Sequence, residues 1–183
     1  MTLLRQIAVV IATAITYFVF CRANSILFSS MGYANGVDWV FLPSGLRLVF
    51  ILIFVEAGAL GIALGSCALA FLYQVDGSAM TYVVTGAISG FSPMLARRIC
   101  IDMLNLDVNL RGLTPRGLLQ TAAIFALTSS LLHQLWYTWC GQTNNFVGSS
   151  IAMAVGDFSG TMLILYAAKA LLNVLRSIGT SGR

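Results

Sequence analysis

Charge is scarce in this chain. Lys, Arg, Asp and Glu make up 9% of its 183 residues, where a soluble domain carries about 25%. A single histidine, His133, excludes a histidine-rich metal site. The four cysteines, Cys21, Cys67, Cys100 and Cys140, do not stand at ligand spacing from it or from a carboxylate. We therefore expect no metal and no cofactor. Only three prolines interrupt the chain, and no polar stretch is long enough for an independent soluble fold. We therefore expect any cytosolic catalytic or output activity to sit on another chain.

What fills the space is apolar. Hydrophobic residues reach 58% and the mean hydropathy is +0.89. A bilayer core of about 30 Å needs roughly 20 apolar residues in helix to cross it, and backbone groups in lipid must be paired within the segment. The sequence predicts an all-α, polytopic transmembrane bundle of about six helices in a single domain, 1–183. The expected spans are Ile7–Cys21, Trp39–Val55, Ala57–Tyr73, Met80–Ala96, Leu118–Tyr137 and Ser150–Leu172. Spans two and three meet around Glu56-Ala57-Gly58, where Gly58 and Gly61 suit a tight turn. Residues 1–22 have the basic start and apolar run of a signal peptide. Their bulky exit, Val19-Phe20-Cys21-Arg22, fits a retained first helix better.

Basic residues set the orientation. With the N-terminus in the cytoplasm, Arg5, Arg97, Arg98, Arg111, Arg116, Lys169, Arg176 and Arg183 lie inside, and Arg22 alone lies outside with Asp38 and Asp76. That is the positive-inside pattern, with both termini in. The net charge of +4 is thereby explained by the membrane, without a nucleic-acid partner. The loop carrying Arg97, Arg98, Arg111 and Arg116 serves topology and anionic headgroups, or docks a cytosolic signalling partner. Cys21 and Cys140 both fall near the outer face, where an oxidising periplasm permits a disulfide; spacing alone does not establish one.

Gly61-x-x-x-Gly65, Gly86-x-x-x-Gly90 and Gly156-x-x-x-Gly160 recur within spans. Small residues four apart let helices approach closely in lipid. Packing within the bundle is the favoured use, and a homo-oligomer the other. Phe41-x-Pro43-x-x-x-Arg47 recurs as Phe91-x-Pro93-x-x-x-Arg97, at opposite helix ends, and reads as coincidence.

Charge inside a span is costly, about 2.5–3.5 kcal/mol on insertion scales, so such residues pair or line a cavity. Arg47 follows Pro43 and Gly45, which weaken the helix before it. Asp157 sits between Gly156 and Gly160. Both fall in the outer half of their spans, and we expect them to pair. Their pairing serves either an outward-facing pocket or a dry lock on helix register. His133 reads as an interfacial residue beside Trp136 and Trp139; the alternative makes it a third member of the outer polar cluster. Ser89-Gly90, Ser159-Gly160 and His133 are residue types an intramembrane serine protease uses. Ala87-Ile88-Ser89-Gly90 lacks the first glycine of a rhomboid-like Gly-x-Ser-Gly, and we expect no enzyme and no catalytic residue.

Phe41-Leu42-Pro43-Ser44-Gly45-Leu46-Arg47-Leu48, followed by Gly61-Ile62-Ala63-Leu64-Gly65-Ser66, resembles the early segment of MASE1-type bacterial membrane sensor domains. Gly156-Asp157-Phe158-Ser159-Gly160 is similar to that family's late Gly-Asp-x-x-Gly motif. The matched motifs cover about a sixth of the chain. MASE1 domains usually have about eight helices and precede an output domain; here six spans are counted and no output domain is expected. The resemblance implies a sensory input module of the bacterial inner membrane, with Pro43, Gly45, Arg47, Gly156 and Asp157 as its site. A stand-alone sensor would signal through a separate partner. The rival reading is a substrate-capture subunit similar to those of energy-coupling-factor vitamin transporters, for which Ala8, Ala12 and Ala14 would provide a small-residue docking face. A bundle with no ligand is the third.

Overall fold

A computed structural model of the chain describes residues 2–34, 36–72, 78–104 and 114–180, with side chains as far as Leu171. Arg111, Asp76, Arg183, the end of span three at Tyr73 and the side chain of Arg176 lie outside the described residues.

Among the described residues six α-helices form: α1 (Leu3–Leu27), α2 (Pro43–Phe54), α3 (Glu56–Leu72), α4 (Ala79–Leu104), α5 (Pro115–Trp139) and α6 (Phe146–Thr180). The fold is all-α apart from a short antiparallel pair, β1 (Gly32–Ala34) and β2 (Val37–Asp38), between α1 and α2. Four helices, α1, α4, α5 and α6, are long and apolar enough to cross a membrane. The other two are shorter, with 12 residues in α2 and 17 in α3. At 1.5 Å per residue α2 is only about 18 Å long.

The expected second span began at Trp39. Its helix instead begins at Pro43, and residues 39–42 are not helical. Proline supplies the reason for the start: its fixed φ suits the first helical position, where its missing N–H costs nothing. The preceding backbone is paired by other elements. Trp39 N–H donates to the Met31 carbonyl (3.0 Å) and Phe41 N–H to that of Gly156 (3.1 Å). Asn24 of α1, 1% exposed, accepts from Leu42 N–H at 2.9 Å and donates to the Val40 carbonyl at 3.3 Å. Irregular backbone inside an apolar bundle survives only when protein saturates it.

The α2–α3 turn also differs from expectation. Gly58 and Gly61 do not make it; both lie within α3. Val55 makes it, with φ +48°, a conformation that a β-branched residue adopts only under strain. Gly58 instead lets α3 lie on the Phe50 carbonyl.

Around the bundle, successive neighbours are α1, α3, α4, α5 and α6, with α2 packed against all five. Glycines seat these contacts. A Cβ on Gly61 or Gly65 would strike α1, and one on Gly86 or Gly90 would strike α3. Gly156 and Gly160 act differently from the expected helix–helix use: they face the carbonyls of Asp38 and Phe41. In α6 the glycine pair hosts an extended strand of chain.

Burial is inverted relative to a soluble protein. Among the described residues, sixteen polar or charged side chains are buried against thirteen hydrophobic ones. Ile7, Ile11, Ile15 and Val19 are exposed along α1, as are Leu127, Leu131 and Leu135 along α5. Water penalises such a surface and lipid does not. The chain is an integral membrane protein.

Candidate functional site

The polar interior is organised around Arg47, which is 1% exposed. It is the fifth residue of α2, so the corrected helix start places it only about one turn past the N-terminus. Two of its contacts are to α4. Nε donates to the Ser89 carbonyl at 3.0 Å and Nη2 to the Ser92 hydroxyl at 2.7 Å. Pro93 explains this carbonyl's availability: within α4 it lacks the N–H that would have bonded the residue four before it, Ser89. The Phe125 ring of α5 lies 5.1 Å from the guanidinium carbon, within cation–π range.

Asp157, on α6, is also 1% exposed, and its Oδ2 is 3.9 Å from Arg47 Nη1. The two charges compensate, but the separation exceeds hydrogen-bond length. Neither Oδ1 nor Oδ2 has a hydrogen-bond partner. The Ser129 hydroxyl neighbours this carboxylate yet is itself unpartnered. The backbone of Asp157 is held firmly by contrast. Its carbonyl lies 2.6 Å from the Ser44 hydroxyl and accepts from Thr161 Oγ1 at 2.7 Å. Ser44 thus ties the first turn of α2 to α6. Gly45 continues the contact, lying so close to Ile164 and the Gly160 carbonyl that no side chain fits.

His133 is buried at 2% exposure, which replaces the interfacial placement with membership of this cluster. Its Nδ1 is 2.8 Å from the Ser129 carbonyl. A carbonyl only accepts, so Nδ1 carries a proton, and in the neutral ring Nε2 accepts. The Ser89 hydroxyl, 3.2 Å away, is then the donor, and Ser66 must donate to Ser89 across 3.2 Å. The chain Ser66, Ser89, His133 runs in one direction.

A cavity of about 750 Å³ opens above these residues. Exposed Gly36, Gly141 and Gln142 line its mouth, and Arg47 and Asp157 its floor. Tyr17, Phe41, Tyr82 and Tyr137 contribute aromatic wall, and Thr81 and Thr85 hydroxyls. The volume lies within the usual range for small-molecule sites. At the mouth, Asp38 accepts from Asn24 Nδ2 at 3.3 Å, and partial burial raises its carboxyl above the usual range.

The expected site residues thus divide. Arg47, Asp157 and His133 meet. Pro43 and Gly45 shape α2, and Gly156 shapes the path of the extended segment. Asn24, Ser44, Ser89, Ser92 and Ser129 were not singled out for binding from the sequence. Pro93, four residues after Ser89, was the available signal for one of them. Cys21 and Cys140 are free thiols. Among the described residues no group of three His, Cys, Asp or Glu could hold a metal. Arg98 pairs with Asp102 at 3.1 Å on the exposed surface of α4, one turn apart on the same helix. Compared with family models, curated proteins and solved structures, the chain matches none.

Proposed function

We propose that this protein is a MASE1-like input module of the bacterial inner membrane. Six segments cross or enter the bilayer, with the extended residues 39–42 completing the short α2. Both termini face the cytoplasm. A ligand enters the cavity from outside and is read by the Arg47–Asp157 pair. The signal leaves through the basic cytosolic face, carrying Arg97, Arg98 and Arg116, to a separate partner. The module itself catalyses nothing.

One observation carries this reading. The cavity reaches from exposed Gly36 and Gly141 to two compensating charges of which one, Asp157, lacks hydrogen-bond partners. A register lock alone would be served better by a closed, bonded pair, because each unmade bond to a buried charge costs stability.

Single cysteines placed along 39–47 and 150–160, in a cysteine-free background, test it by labelling intact cells from outside. Labelling that descends to the level of Arg47 and Asp157 supports the pocket. Protection of every position below the loops would make the pair a dry lock and end the reading.

A transport component is the second reading, supported by α1. Only 11% of its apolar window is buried, and Ala8 and Ala12 are both exposed. Such a face suits a coupling membrane subunit. Co-purification of an ATPase pair with the native protein would favour it over signalling.

A further inference from the structure

The Arg47–Asp157 pair restricts the chemistry of a ligand, and this inference rests on the cavity being a binding site. The pair sums to zero charge, and the other charged lining residues, Arg22 and Asp38, are again one of each sign. A lone cation or anion would bring uncompensated charge to a buried floor, at a cost of several kcal/mol. The favoured occupant is therefore neutral overall.

Its polar edge is dictated by the groups left open. Guanidinium offers five N–H groups, and Nε and Nη2 are engaged by Ser89 and Ser92. Nη1 is the arm turned toward Asp157, 3.9 Å from Oδ2. It is a donor and asks for a carbonyl. The two carboxylate oxygens are acceptors, both without partners, and ask for N–H groups. The complement is a rigid edge reading acceptor, donor, donor. A fused heterocycle with an oxo group, a ring N–H and an exocyclic amino group in sequence supplies it, as guanine and pterin rings do. The aromatic walls from Tyr17, Phe41, Tyr82 and Tyr137 suit a flat body. The carboxylate oxygens lie just beneath the cavity floor. Turning up to meet such an edge asks the carboxylate to leave the Ser129 hydroxyl beside it.

We infer that the cavity binds a flat, neutral heterocycle through an acceptor–donor–donor edge, its carbonyl on Arg47 and its two N–H groups on Asp157.

Pterin and lumazine test this. Both are fluorescent and neutral near neutral pH, and they differ where pterin's amino group is replaced by an oxo group. Binding is measured by fluorescence titration of the full chain in lipid nanodiscs. Pterin should bind saturably and at least roughly tenfold tighter than lumazine, whose second oxo group would face a carboxylate oxygen. Asp157→Asn should invert the order, because the amide can turn its NH₂ to the lumazine oxygen. Ala70→Trp, which puts a bulky ring into the cavity from a lining residue outside the pair, should abolish binding of both.

No saturable pterin binding, equal affinities, or an unchanged preference in Asp157→Asn would overturn the inference. If Asp157→Asn does not accumulate, pterin binding that survives Ala70→Trp would overturn it equally. Cysteine labelling separates the two failures. Labelling that reaches the pair while pterin does not bind removes only the ligand class. Absence of labelling removes the cavity reading with it.

Discussion

Arg47 Nε donates to the one carbonyl in α4, that of Ser89, which Pro93 deprives of its helical partner. The notch and the arginine therefore belong together. Pro93 makes the acceptor, and Arg47 fills it while bringing its charge to Asp157 at 3.9 Å.

Removing Arg47 should be severe. Arg47→Met leaves the Asp157 carboxylate buried without compensation and the Ser89 carbonyl without a donor. Loss of one partner of a buried pair costs about 3–5 kcal/mol. Thermal unfolding in detergent should show a drop of many degrees. Arg47→Met combined with Asp157→Leu should recover part of the loss, with a coupling of about 0.5–3 kcal/mol. Strict additivity of the two single variants would show that the charges do not interact.

Pro93→Ala should loosen Arg47 without unfolding the bundle. The restored N–H competes for the Ser89 carbonyl, as in an uninterrupted helix. Helix propensity alone would raise stability, so the net change in melting temperature should be small. Ligand affinity should fall. A variant that is stabilised by several degrees and binds unchanged would separate the notch from Arg47.

Gly160→Ala should be among the least tolerated glycine substitutions. Its Cβ would collide with the Phe41 carbonyl, which is fixed backbone, and overpacking of this kind costs about 1–3 kcal/mol. Gly148→Ala meets the flexible Asn145 and Tyr33 side chains instead and should cost less. Melting temperatures of the two variants side by side check the ranking.

Val55→Gly should stabilise the protein by about 1 kcal/mol. The native residue holds φ at +48°, where glycine has no Cβ penalty. A loss of stability would mean that Val55 packing outweighs its backbone strain.

Asp38 gives a pH dependence of defined sign. Burial holds its carboxyl above the usual value, so the folded state binds the proton more tightly than the unfolded chain does. The associated stability is present below the unfolded value and is lost as pH rises through the folded one. Asp38→Asn should remove this dependence. Its melting temperature relative to the native protein should be higher at neutral pH than in acid, and a constant difference would contradict the assignment.

Composition and pattern alone determined the class of this molecule. Scarce charge, long apolar runs and the all-α character are sums along the chain, and hydropathy reads such sums well. Arg47 and Asp157 also stood out unaided, because a charge in an apolar run is expensive wherever the fold places it. The start of α2 was decided elsewhere. Residues 39–42 are as apolar as the helix that follows, and they stay out of it because Asn24, Met31, Gly156 and Ser159 pair their backbone. Those partners lie up to 120 residues away, beyond any local pattern. His133 likewise looked interfacial by position along α5, while burial against Ser89 and Ser129 depends on which face of that helix α4 covers. Hydropathy measures what each segment would lose in water. Only the tertiary structure says which neighbour satisfies its polar groups, and here that decided where the helix ends, where the cavity opens and which carboxylate is left unbonded.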